Sequence, residues 1–193
     1  MSPNRSAPSS LDLSSLPLRE ALARFGGGSP VPGAGSAAAL TGSLAARLAR
    51  AADQGVHRAD LDRLAEELTG LSEEDAAAFA AFWRLFRQQR EQGLDEAGKA
   101  DLDVALRRAI EIPLRVAQTC LAVARAAEEL AHTGLRAARA EAVTARLLAA
   151  AAGRGACGIV RENLKLTRGA AWGLALAEET AALERSLASI SGG

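Results

Sequence analysis

Apolar residues recur at helical spacing along nearly the whole of this chain, and no stretch alternates as a strand would. Leu16, Leu18, Ala21, Leu22 and Phe25 mark a short amphipathic helix with Pro17 near its first turn, stopped by Gly26-Gly27-Gly28. A loop over residues 30–35 follows. A second helix is predicted over about 36–53, with Leu40, Leu44 and Leu48 as its stripe and Ala37, Thr41 and Gly42 keeping one flank small. In the third, over about 58–91, a leucine stripe (Leu61, Leu64, Leu68, Leu71) gives way to an aromatic one (Phe79, Phe82, Trp83, Phe86). Ser72 before Glu73-Glu74-Asp75 reads as a capping box, at which this helix is expected to break or restart. Asp95 caps a fourth helix over about 96–132, which Pro113 should bend. A fifth covers about 136–166 and a sixth about 170–190. Gly153, Gly155 and Gly158 each cost the fifth helix about 1 kcal/mol relative to alanine, so another helix or a ligand is expected against that face.

The pattern predicts an all-α domain over residues 15–190, a compact bundle of five to six long helices. The polar, Pro/Ser-rich residues 1–14 are expected to form a disordered tail. Composition sharpens the picture. Hydrophobic residues make up 49 % of the 193, aromatics only 3 %, and there is no tyrosine. Alanine therefore carries much of the apolar content, and the core must come from close helix–helix contact. Helices this long and alanine-rich extend beyond a monomer's own core, so a homodimer is expected. Lys+Arg and Asp+Glu are both 23, a balance that argues against nucleic acid as a partner. The 18-residue charge-free run of a membrane span is missing and the N-terminal residues lack the apolar core of a signal peptide, so a cytoplasmic protein is expected. Cys120 and Cys157 sit in apolar helical stretches without a pairing pattern and read as inert buried thiols.

The stretch with most chemical promise is Pro32-Gly33-Ala34-Gly35-Ser36, directly before a helix of small residues. Glycine allows close backbone approach to a ligand, Ser36 can cap the helix, and exposed N–H groups at a helix start favour anions and polar ligands. Read locally, a capped turn before a closely packed helix accounts for the same pattern. Asp75 lies four residues before Phe79, on one helix face, so it is expected at least half buried beside an aromatic. A carboxylate there can have a raised pKa and move protons, or can simply complement a helix start. Glu141 reads locally as a solvated first-turn acid, and Asn163 as an amide for a polar ligand or a neighbouring backbone. His57 and His132 lack metal-ligand spacing, and no dinucleotide, Walker, GxSxG or HExxH fingerprint occurs.

Four landmarks in one order, Pro32-Gly33-Ala34-Gly35-Ser36, Asp75-Ala76-Ala77-Ala78-Phe79, Ile112-Pro113-Leu114 and Gly155-Ala156 with Asn163-Leu164, resemble the cyclodeaminase/cyclohydrolase family. This is the C-terminal domain of formiminotransferase-cyclodeaminase, and it also occurs alone in bacteria. The resemblance runs from about Leu16 to Leu187. It implies a helical homodimer acting on tetrahydrofolate derivatives, as a formiminotetrahydrofolate cyclodeaminase or a methenyltetrahydrofolate cyclohydrolase, with no tightly bound cofactor and no metal. It places the catalytic aspartate on Asp75 and a second acid on Glu141. Pro32, Gly33, Ala34, Gly35, Ser36, Arg87 and Asn163 fall on ligand-binding positions, and charge alone offers Arg115 and Arg161 to the anionic glutamate tail. The chain departs from the family's pattern at Ala34, in place of a middle glycine, at Phe86, in place of a proline, and at Arg87, in place of a lysine. Ala140-Glu141 replaces a Ser/Thr-Asp pair, and Ile159 replaces the first of two asparagines. Those departures leave open a second reading: a catalytically degenerate member that binds folate or partner proteins.

Overall fold

The computed structural model describes residues 16–167 and 169–191, so the expected tail at 1–14 lies outside the described residues. Six α-helices follow in order: α1 (Leu18–Arg24), α2 (Ala34–Ala52), α3 (Arg58–Glu91), α4 (Glu96–Thr133), α5 (Arg139–Leu164) and α6 (Ala171–Ser191). Short 3₁₀ turns at Arg136–Ala138 and Lys165–Thr167 flank α5. The all-α bundle is as expected, and the described residues contain no strand.

α4 and α5 form the central pair. α2 lies against both, α3 covers α2 and α4, and α6 closes the far side against α5 and α4. Alanine makes this closeness possible: Ala39, Ala45, Ala46 and Ala49 of α2 are fully buried. At two crossings even a methyl group is too large. A Cβ on Gly42 would fall 2.6 Å from Cys120 Sγ, and one on Gly153 would fall 2.9 Å from Leu187. The two cysteines are free and buried, as expected. Burial pushes the Cys120 thiol up to about 12 and that of Cys157 to about 11, so both stay protonated and unreactive.

Four local expectations are corrected. The period-four leucines of α2 are not its core stripe: Leu44 is 53 % exposed, Leu40 and Leu48 are half-buried, and the small residues face inward. The α3 helix does not break at Ser72. It runs without interruption through that position, and Ser72 is buried inside the bundle. Burying the stripe on both sides of Ser72 is worth more than a local cap. Of the three glycines in α5 only Gly153 is packed by a neighbouring helix; a Cβ on Gly155 would meet open space, and one on Gly158 would reach only Arg161. In α1 the apolar positions are not all buried: Ala21 is inside, whereas Leu18 and Leu22 are exposed.

Residues 136–167 form a stretch long and apolar enough to span a membrane by length and composition. Here it contains the central helix of the bundle, and its apolar character goes into contacts with α2, α4 and α6.

At the two ends of α2 sit two buried carboxylates. Asp53, its C-cap, turns the chain into α3 by accepting from the N–H groups of Gly55 (2.9 Å), Val56 (3.1 Å) and His57 (3.0 Å). Burial pulls the Asp53 carboxyl upward, but these three donors, with His57 nearby, win and hold it below the ordinary value. At the other end stands Asp75.

Candidate functional site

Gly33 is extended (φ −113°, ψ −164°), and α2 begins at Ala34. The helix therefore starts two residues earlier than expected, and Ser36 is inside it. Gly33, the N-cap, has no side chain to offer, and Ser36 does not cap. Its hydroxyl, fully buried, donates instead to Asp75 Oδ2 of α3 at 3.0 Å. The Ser36 backbone N–H also bonds this carboxylate. Asp75 thus supplies, from another helix, the acceptor that a free helix start requires.

Gly35 makes the approach possible, because a Cβ there would overlap the Asp75 carboxylate. Ala34, by contrast, is helical and exposed. Its place in a glycine's usual position therefore costs the loop nothing in backbone conformation. The Val31–Pro32 peptide is cis.

Asp75 is 9 % exposed. Burial pushes its carboxyl above the ordinary value, while the Ser36 hydroxyl and N–H pull the other way and lose. The carboxylate opens onto a cleft of about 220 Å³ lined by Pro30, Val31, Gly33–Gly35, Phe79, Ala109, Ile159 and Asn163. Phe79 stacks on Trp83 with ring centroids 6.2 Å apart, which holds the aromatic wall in place. Among the described residues, Asp75 and Asn163 are the only two polar side chains in the lining. An apolar cleft of this kind can bury an apolar ligand surface and offers it one carboxyl able to accept or donate a proton.

Asn163 belongs here through α4. Proline has no N–H, so Pro113 leaves the carbonyl of Ala109 without its helical donor. Asn163 Nδ2 fills the vacancy from α5, at 2.8 Å.

Of the residues marked in the sequence, the fold brings together Gly33, Ala34, Gly35, Asp75 and Asn163 at the cleft, with Ser36 behind Asp75. Pro32 is buried beside the loop without lining the cleft. Glu141 is not brought in: it stands in the first turn of α5, about 33 Å along the helix axis from Asn163. Arg87 lies about 18 Å along α3 from Asp75, exposed and bonded to Glu91 at 3.0 Å. Arg115 pairs with Glu74 at 3.5 Å and Arg161 with Glu184 at 2.8 Å. Among the described residues no group of three or more His, Cys, Asp or Glu could hold a metal ion. Pro30, Val31 and Ala109 were not singled out in the sequence. Ala109 had a signal: it stands four residues before a helical proline.

A family model described as formiminotransferase-cyclodeaminase matches residues 17–182. Among solved structures, the formiminotetrahydrofolate cyclodeaminase of Thermotoga maritima superposes with a TM-score of 0.79 at 20 % identity, covering 93 % of this chain and 94 % of that one. No curated protein sequence matches significantly.

Proposed function

Because the chain belongs to the formiminotransferase-cyclodeaminase family, we propose that it is a folate one-carbon enzyme that closes 5-formiminotetrahydrofolate to 5,10-methenyltetrahydrofolate with release of ammonia. The observation that carries this reading is Asp75: a buried carboxylate, raised by its surroundings, at the edge of an apolar cleft.

The chemistry asks for one proton shuttle. N10 attacks the carbon of the N5–CH=NH₂⁺ group, a new N10–C bond forms, and the former double bond places its electrons on the nitrogen. N10 then carries a surplus proton, and the departing nitrogen needs one. A single carboxylate that takes the proton from N10 and returns it to that nitrogen lets ammonia leave and the N5–C–N10 bridge become the methenyl cation. A carboxyl held above its ordinary value by burial fits both halves of the task. Aligned N–H groups at the start of α2 stabilise the ionised form, and the apolar walls keep water from the bridge. In this reading no bound cofactor takes part.

The enzyme is further proposed to act as a homodimer. Leu44 and Leu147 face outward, 53 % and 47 % exposed, which supports a partner copy. Unbridged buried thiols fit a cytoplasmic setting.

Purified protein should release ammonia from 5-formiminotetrahydrofolate, and Asp75→Asn should abolish that release. Hydrolysis of the methenyl compound without ammonia release would move the assignment to cyclohydrolase. The degenerate reading draws on Ile159, which leaves an apolar wall where the family carries an amide. Folate binding by calorimetry without turnover would favour it, and neither binding nor turnover would sink the folate reading altogether.

A further inference from the structure

We infer that Pro113 is a positioning residue: by withholding a helical N–H from the Ala109 carbonyl, it pins the Asn163 amide so that the cleft presents a fixed hydrogen-bond acceptor, Asn163 Oδ1, to an N–H group of the ligand. The inference rests on the folate reading for the identity of the ligand, but not for the pinning itself.

A proline inside the thirty-eight-residue α4 removes one helical hydrogen bond and crowds the preceding turn, so it disfavours the helix it sits in. Nothing in local structure requires it, since α4 continues on both sides. What it creates is a carbonyl that lacks the donor four residues ahead that a regular helix would give it. That carbonyl belongs to Ala109, a residue of the cleft wall, and it is bonded by another residue of the same wall. An amide bound in this way has no freedom of orientation. The atom facing a carbonyl oxygen must be Nδ2, because two acceptors repel. Oδ1, on the same carbon, is thereby turned away from Ala109.

The cleft then holds two acceptors of different kinds. Asp75 can take or give a proton, whereas Asn163 Oδ1 can only accept a hydrogen bond. A ligand in this space is read by whether it offers an N–H toward α5. The pterin ring system of a tetrahydrofolate, with its ring N–H and amino groups, has such donors. Ile159, one helical turn before Asn163 on α5, offers no competing polar group.

The test uses Pro113→Ala in the full-length protein. The new N–H can bond the Ala109 carbonyl within α4, which frees Asn163. In ¹H–¹⁵N spectra the Asn163 side-chain NH₂ of the wild type is expected to be protected from solvent exchange, and in the variant to exchange freely. KM for 5-formiminotetrahydrofolate, and Kd for the unreactive 5-formyl compound by calorimetry, should rise about three- to tenfold, the loss expected of one hydrogen bond, with kcat changed less. Pro113→Ala combined with Asn163→Ala should bind no worse than Asn163→Ala alone, because the proline acts through the asparagine. Additive losses would overturn the inference, as would an unchanged Kd in a variant whose amide had been freed. An Asn163 amide that exchanges freely in the wild type would overturn it with no variant needed. If the wild type binds no folate, the functional reading falls, and the exchange measurement still decides whether the proline pins the amide.

Discussion

The two ends of α2 hold the same functional group and use it differently. At the C-terminal end Asp53 is 3 % exposed and accepts three backbone N–H bonds. At the N-terminal end Asp75 is 9 % exposed and receives the hydroxyl and N–H of one residue, Ser36. Burial pushes both carboxyls up. Three donors overcome it at Asp53, and a single residue does not at Asp75. The number of donors facing a buried carboxylate thus sets the direction in which its pKa moves: down at Asp53, which holds a turn, and up at Asp75, beside the cleft. Only the second is placed against open space.

The sharpest way to break this comparison is to remove both carboxylates in turn. Asp75→Asn should lower kcat by about a hundred- to ten-thousandfold, the usual share of a general acid or base. The same change should raise stability at neutral pH, because it removes a buried charge that the fold favours in its protonated form. Urea unfolding and steady-state assays on one preparation would show both, and a variant that is inactive and also unstable would contradict the contrast. Next in size is Gly35→Ala. Its methyl would displace the Asp75 carboxylate from Ser36, costing about 1–3 kcal/mol of stability as overpacking does, and most of the activity.

Asp53→Ala should cost a similar 1–3 kcal/mol by leaving backbone donors unpaired, with kcat unaffected. The signs of pH dependence are opposite at the two sites. The stability contributed by Asp53, whose folded value is depressed, is present above the unfolded value of about 3.9 and is lost as pH falls through the folded one. The contribution of Asp75, whose folded value is raised, is fully present below about 3.9 and is lost as pH rises through the folded value. Unfolding curves from pH 3 to 8 for wild type and the two variants would separate them. Ser36→Ala, which removes one of the opposing donors, should move the Asp75 limb of the pH–rate profile upward. Smallest of all, Gly155→Ala on the exposed face of α5 should stabilise by about 0.5–1 kcal/mol without touching activity, measured by thermal unfolding.

The fold was legible because helical periodicity runs through the chain and nothing in it alternates. What was not legible was direction. Leu40, Leu44 and Leu48 look like a core stripe because leucine outweighs alanine in any hydropathy count, yet close packing of α2 against α4 and α5 selects the smaller side chains. Ser36 looked like a cap because short-range chemistry offers it one, but a partner 39 residues away takes its hydroxyl. Asp75 was legible as a half-buried acid from its four-residue offset to Phe79, and the cleft loop from its glycines. Glu141 and Arg87 entered through the family pattern, and this fold holds both away from the cleft. Asn163 was marked, but its bond to Ala109 joins helices 54 residues apart, and a spacing rule sees only one helix at a time.

The alanine core carries a thermal consequence. A buried alanine gives up no rotamer entropy and removes less apolar surface from water than a buried leucine. The heat-capacity change of unfolding follows the apolar area exposed. A bundle filled with Ala39, Ala45, Ala46, Ala49, Ala124 and Ala149 should therefore have a smaller heat-capacity increment per residue than a leucine-filled one, and its stability should vary slowly across a wide span of temperature.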